Sequence, residues 1–349
     1  MEGAAAHGYR PALAYNEGGL LVEQAARAGI PCSYVRMRHP FDIAAARALA
    51  RVCEERGATV VHTHYLRENY VAILAKLLFN RELRVVRTSH FIRADGPLIK
   101  ACNRAFTRAN HKAIAVCEAG ARQLAANGFD AGKIAVVRNA VDTEAYRPGA
   151  SYGREREEAR AGLSVKDGET VFLCASRFAH DKGHRYFLEA CSAFFGRLGA
   201  KPEKRRAHVL LAGDGPLLGD IKALAASLNL SGDVRFIGFV EDIKPLLRAA
   251  DVYVNPSEHE ASSFLILEAL ASGLPVIATD KGGNGEIVND ENGCGALVGY
   301  GDAEQLADAM ERFHEDEALR REAGARALAA VERSHRLSDM LDRTYALYC

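Results

Sequence analysis

The amino-acid sequence predicts an α/β protein of two doubly wound, parallel-sheet domains, and three observations carry that expectation. Short runs rich in Val and Ile alternate with longer segments of helical period in both halves, as parallel sheets with crossover helices require. At 349 residues the chain exceeds what one hydrophobic core usually covers. A polar stretch from Asp142 to Asp167, holding Pro148, Gly149, Ser151, Gly153 and a charged run, separates the two alternations as an interdomain linker would. The expected domains are residues 1–150 and 151–335, with 336–349 a helix that packs back on the first domain.

In the first half the strand candidates are Ala12–Tyr15, Cys32–Arg36, Thr59–His64, Arg84–Thr88, Ala113–Cys117 and Ile134–Arg138. Between them, Asp42–Arg56 places Ile43, Ala46, Ala50 and Cys53 on one helical face and stops at Gly57; Glu118–Asn127 stops at Gly128. The opening Met1–Gly8 reads as the end of a helix closed by a C′ glycine and followed directly by a strand. A doubly wound domain opens on a strand and a glycine-rich turn before that helix. We therefore expect the first strand and loop of the N-terminal domain to be missing. In the second half the strand candidates are Thr170–Ala175, His208–Ala212, Val234–Ile237, Val252–Asn255 and Pro275–Thr279; from Asp302 onward the pattern is helical and amphipathic.

Lys and Arg number 45, Asp and Glu 45, so no global field attracts nucleic acid or acidic lipid. One stretch is locally basic: Arg84, Arg87, Arg93, Lys100, Arg104, Arg108 and Lys112. A solvated helix face beside phosphate contacts is the first reading of it, and a peripheral membrane contact the lesser one. The eight cysteines show no C-x-x-C pair, which fits reduced thiols. No basic-then-apolar leader is visible, and no apolar run approaches the ~20 residues of a spanning helix. A cytoplasmic protein, peripheral at most to the inner face of the membrane, is expected.

The densest chemical signal runs from Asn255 to Val288. Glu260 and Glu268 lie eight residues apart, a little over two helical turns, so both carboxylates can face one cleft. The helix starts near Ser262 and Ser263, whose N–H groups and hydroxyls would meet an anion at its N-terminus. Taken alone, the pair also reads as an acidic cap and one exposed helical Glu. Arg177 and Lys182 follow a strand, at the end where ligands collect. Gly213-Asp-Gly215-Pro-Leu-Leu-Gly219 imitates a dinucleotide fingerprint, but follows the second strand of its domain, and the next strand ends on no acidic residue for a ribose. His62, His64 and His90 sit at adjacent strand ends, which also admits a zinc reading or a purely structural one for His62. No Asp-x-Asp occurs, so the usual carboxylate pair for a Mg²⁺ or Mn²⁺ bridging a diphosphate is missing.

These motifs, in order along nearly the whole chain, resemble the retaining family 4 glycosyltransferases. Their signature joins an E-G-F-G turn, an L-L-E-A-M-A helix, a G-x-P-V strand and a G-G-x-x-E loop. Here Glu260, Glu268, Ala269, Gly273, Pro275, Val276, Ala278, Gly282, Gly283 and Glu286 match it. Ala261, Ser262 and Ser263 replace Gly-Phe-Gly, and a Cβ at position 263 is expected to narrow the backbone's approach to the sugar. Arg177 and Lys182 resemble the family's G-R-L-x-x-x-K-G turn, Gly213 and Gly215 its G-x-G-P turn, and Asn139–Asp142 its N-G-V-D turn. The resemblance implies two Rossmann-like domains facing across a cleft (the GT-B fold). It implies retaining transfer from a nucleotide diphosphate sugar to a carbohydrate or lipid-linked hydroxyl, without metal or other cofactor.

By the same resemblance Arg177 and Lys182 hold the diphosphate, where fixed cations lower the barrier as the leaving group gains charge. Glu268 takes the ribose hydroxyls, and Glu260, with Ser262, Ser263, Phe264 and Leu265 beside it, takes the sugar. Gly213, Gly215, Phe239 and Val240 lie near the base. His90 approaches the sugar from the opposite domain, and His62 and His64 line the acceptor side. A nucleotide-sugar binder with weak catalysis and a nucleotide-sugar epimerase of the same architecture are the alternatives.

Overall fold

A computed structural model describes residues 3–199 and 206–349. The chain divides into two units, Met1–Arg138 with Ser338–Cys349, and Asn139–Leu337.

In the first unit, β1 (Leu13–Tyr15), α1 (Leu20–Arg27) and β2 (Cys32–Tyr34) build a two-stranded parallel sheet that stands by itself. Next come α2 (Ile43–Arg56), β3 (Val60–Thr63), α3 (Leu66–Leu78), β4 (Arg84–Ser89), α4 (Pro97–Phe106), β5 (Lys112–Ala115), α5 (Glu118–Ala126) and β6 (Ile134–Val136). β3 to β6 pair in chain order into a four-stranded parallel sheet. Asp42 caps α2 by accepting from the Ala45 N–H at 3.0 Å, and Gly57 closes it in the left-handed region. The buried face of α2 is Ala45, Ala46, Leu49, Ala50 and Cys53, whereas Ile43, expected on it, is exposed. At the start of the chain a single 3-10 turn, Ala5–His7, ends on Gly8 at φ 78°. Residues 338–349 return to this unit and pack against Val86, Ile114 and Val137.

The second unit opens with α6 (Thr143–Tyr146) and α7 (Tyr152–Gly162), so the polar stretch that reads as a linker is largely helical. Two of its arginines face inward: Arg156 and Arg160 bind the Asp251 carboxylate at 2.6 and 3.2 Å. Then follow β7 (Thr170–Ala175), α8 (His184–Gly199), β8 (Ala207–Ala212), α9 (Leu218–Ser227), β9 (Val234–Gly238), α10 (Lys244–Ala249) and β10 (Val252–Asn255). The unit continues with α11 (Phe264–Ala271), β11 (Val276–Thr279), α12 (Asn284–Ile287), β12 (Gly295–Val298), α13 (Ala303–Glu315), α14 (Glu317–Ser334) and the start of α15 (Leu337–Ala346). The strand order β12-β11-β10-β7-β8-β9 is parallel throughout. β7, β8, β10 and β11 are buried along their whole length, which is why they read as continuous apolar runs rather than alternating ones. β12 is the strand that sequence reading misses: Gly-Ala-Leu-Val offers a single β-branched residue. The winding reverses between β7 and β10. All eight cysteines are free thiols, and among the described residues no helix is long and apolar enough to cross a membrane.

Candidate active site

Strand order reverses between β7 and β10, and it is outside the carboxyl ends of such a pair that ligands of these sheets bind. The loops leaving these strands carry Lys182 and Glu260. Lys182 Nζ donates to Glu260 Oε1 at 2.7 Å, with the two side chains only 21% and 15% exposed. The Asp181 carboxylate lies 3.6 Å from the same ammonium. Backbone bonds fix the loops to each other: the Glu258 N–H donates to the Asp181 carbonyl at 2.8 Å, and the Gly283 N–H to the Glu260 carbonyl at 2.9 Å. Gly183 has φ +67°, and a Cβ there would lie 1.9 Å from the Pro256 carbonyl oxygen. Only glycine lets the Lys182 loop approach the Glu260 loop this closely.

Ser263 is the N-cap of α11, at φ −73° and ψ 122°, so a serine fits without strain. Its hydroxyl does not face outward to an anion, as the sequence leads one to expect. It is buried and accepts from Asn255 Nδ2 at 3.4 Å. Ser262 behaves differently: its carbonyl accepts from Asn139 Nδ2 at 3.0 Å, and its Oγ is buried with no hydrogen-bond partner among the described residues. Asn139 in turn accepts from His335 Nδ1 at 2.8 Å, which makes the Asn139–Asp142 turn the support of the Ser262 turn. Phe264 is exposed and Leu265 half-buried. One turn further on, burial raises the Glu268 carboxyl above its ordinary range, against the opposing pull of a Tyr146 hydrogen bond and of Lys244. Tyr146 is a site residue that the sequence hides, because it falls in the stretch with linker composition.

Arg177 is exposed, and its side chain makes no hydrogen bond or ion pair among the described residues; it is not drawn into the Lys182–Glu260 pair. Gly213 and Gly215 serve packing between loops. A Cβ on Gly213 would lie 2.0 Å from the Ser176 carbonyl oxygen, and one on Gly215 2.5 Å from that of Phe178. Phe239 is 77% exposed, with Val240 packed on the core behind it. The lysine turn is braced from below by His184, whose ring stacks on Phe178 at 4.2 Å and shares a 3.1 Å hydrogen bond with Ser176 Oγ. Burial lowers the His184 pKa to about 4.

In the first unit, the ends of β3 and β4 bring three imidazoles into a column. His62 and His64 stack at 4.8 Å, His64 and His90 at 5.2 Å. His62 spends both nitrogens inside the unit, on Thr88 Oγ1 at 2.7 Å and the Tyr348 hydroxyl at 2.6 Å. His64 Nδ1 and His90 Nε2 share one proton across 3.0 Å. Burial, then the neighbouring imidazoles, lower the His62 pKa to about 3; burial, then His64, lowers that of His90 to about 4. His64 is also held below its usual value, chiefly by desolvation. Nitrogens aimed at each other do not converge on a metal, and no cluster of three His, Cys, Asp or Glu among the described residues is placed to hold one.

Comparison with known proteins gives the site its context. Residues 155–329 match the family described as Glycosyl transferases group 1, and residues 1–145 match Glycosyltransferase Family 4. The N-acetyl-alpha-D-glucosaminyl L-malate synthase of Bacillus anthracis is 25% identical over 317 residues, which cover 88% of this chain and 79% of that one. The lipopolysaccharide core biosynthesis glycosyltransferase LpsE of Rhizobium meliloti is 36% identical over 169 residues, 48% of this chain and 46% of its own length. This chain therefore spans under half of LpsE in that match. In fold, it is similar to Anabaena HepE in complex with UDP, with a TM-score of 0.84 at 20% identity over 98% of this chain and 93% of that one. With one family match covering half of its length and the other most of the remainder, the chain belongs to the group 1 glycosyl transferases and is a glycosyltransferase of two Rossmann-like domains.

Proposed function

We propose that this enzyme moves a glycosyl unit from a nucleoside diphosphate sugar to an acceptor hydroxyl, with retention at the anomeric carbon and without a metal ion. The acceptor is a carbohydrate or lipid-linked carbohydrate of cell-envelope polysaccharide or glycolipid synthesis, reached from the cytoplasm. The observation that carries the reading is the Lys182–Glu260 pair, 2.7 Å apart at the reversal of strand order. Each charge compensates the other in the free protein. A donor diphosphate takes Lys182, together with Arg177, and releases Glu260 to accept from sugar hydroxyls. The Ser262 hydroxyl and the N–H groups opening α11, at Phe264 and Leu265, supply further donors with no carboxylate cluster needed. Glu268, held by Tyr146, takes the ribose hydroxyls, and Gly213, Gly215, Phe239 and Val240 lie towards the base.

His90 is assigned to the sugar or the reacting oxygen, with His64 beside it on the acceptor side and His62 behind as support. Retention rests on the likeness of the Glu260–Glu286 segment to the family signature. UDP in HepE makes UDP-sugars the first donors to test, and the lipopolysaccharide role in LpsE's name directs attention to envelope acceptors. Titration calorimetry and transfer assays with UDP- and GDP-sugars, with and without EDTA, test the proposal. Binding and turnover should survive EDTA, and the product should keep the donor's anomeric configuration by NMR. Loss of turnover in EDTA, or an inverted product, would contradict it.

A further inference from the structure

The residues that follow His90 combine cations of one sign with apolar side chains left in water. Phe91 is 63% exposed, Leu98 77% and Ile99 41%. Arg93, Arg104 and Arg108 are exposed beside them. Between Phe91 and Lys112 the single carboxylate is Asp95, and it is turned inward, accepting from Asn103 Nδ2 at 3.0 Å. Two members of the basic stretch are spent within the unit: Arg84, although exposed, donates to the Tyr348 carbonyl at 2.8 Å, and half-buried Arg87 lies over the Phe129 ring at 4.9 Å. Arg93, Arg104 and Arg108 face out, and Lys100 and Lys112 are half-buried. In a chain with equal numbers of acids and bases this is a local excess of positive charge.

Helical geometry orders the patch. At 100° per residue Leu98, Ala101 and Ala105 form one outward stripe, with Arg104 on its flank about 9 Å along the axis from Leu98. The opposite face is anchored: Asn103 accepts from the Tyr70 hydroxyl at 2.7 Å and donates to the Asn127 carbonyl at 2.8 Å. A rigidly held helix with an apolar stripe, flanking arginines and no outward acid has the make-up of an interfacial helix. Single exposed apolar residues are common on any surface. It is their continuity with uncompensated cations that selects an anionic, apolar-cored partner.

We propose that this face, from Phe91 through α4 to Arg108, docks on an anionic lipid surface. Leu98 and Phe91 enter the boundary between headgroups and acyl chains, while Arg93, Arg104 and Arg108 meet lipid phosphates. Docking would bring His90, the residue before Phe91, to the surface where a lipid-linked acceptor resides; that last clause rests on the proposed function, the docking does not.

Co-sedimentation of the full chain with phosphatidylcholine vesicles, with and without phosphatidylglycerol, tests it without any donor or turnover. The protein should bind only the anionic vesicles, and less as salt rises. Each cation near such a surface is worth about fivefold, so Arg104→Gln with Arg108→Gln should weaken binding about 25-fold. Leu98→Ser should weaken it about tenfold. The exposed pair Arg154→Gln with Arg185→Gln, on the second unit, should leave it unchanged. Circular dichroism confirms that each variant is folded. No binding to anionic vesicles, equal binding to both kinds, or full binding by the Arg104/Arg108 variant would overturn the proposal.

Discussion

Lys182 and Glu260 are shielded enough that neither charge is indifferent to losing its partner. An exposed ion pair is worth little, but removing one member of a shielded pair leaves the other stranded. Lys182→Ala should therefore lower kcat/KM for donor turnover by about 10²–10³, the usual cost of deleting a donor that stabilises developing charge. Steady-state kinetics would show it; a loss under about tenfold would place the diphosphate elsewhere. The imidazole column makes a separate prediction about pH. His62 and His90 titrate at about 3 and about 4 in the fold, below the 6.5 of an unperturbed histidine. As pH falls, the unfolded chain takes up these protons first. The stabilising contribution is thus complete above pH ~6.5 and is lost progressively below it, by up to about 1.4 kcal/mol per pH unit for each ring. Urea midpoints measured from pH ~6.5 down to ~5, above most carboxylate titration, should fall steeply in the wild type and less so in His62→Gln. A flat profile in the wild type would rule the column out as the cause.

Among the elements, the loop after β7 depends on the absence of a side chain. Gly183→Ala would force a Cβ onto the Pro256 carbonyl at positive φ, and should cost at least ~1–3 kcal/mol in thermal unfolding. Gly196→Ala, on the exposed side of α8 with nothing within 4 Å, should instead stabilise by up to ~1 kcal/mol. Equal effects of the two would mean that the loops can separate. Both glycines are visible in the sequence, yet only a structure tells them apart. Legibility divides along that line. The strands of the second unit could be read because burial on both faces writes unbroken apolar runs such as Val171–Ala175, and the site loops because they follow those strands. Local pattern does not encode which way a side chain turns at a given backbone position. So Ser263 facing Asn255, Tyr146 reaching Glu268, and His64 bonding His90 stayed hidden. Composition misled in one place, where Arg156 and Arg160 looked solvated but are spent on Asp251 and the carbonyls around it.

At the scale of the whole molecule, the chain leaves the first unit at Arg138 and re-enters it at Ser338, so that unit is finished only by the last residues. Tyr348 is the link. Its hydroxyl meets His62 Nδ1 at 2.6 Å, its ring packs edge-on against His62, Tyr9 and Tyr345, and its carbonyl accepts from Arg84. Tyr348→Phe keeps the packing and leaves a buried imidazole nitrogen unpaired, which costs about 1–3 kcal/mol. Tyr348→Ala also opens a cavity and should cost about 3 kcal/mol or more. Because the loss falls on contacts of the first unit, amide exchange should quicken about 100-fold in β3 to β6 of the alanine variant while β7 to β12 keep their protection. Equal acceleration in both sheets would mean that the molecule opens as a single cooperative body, and that its last residues hold together more than the unit they complete.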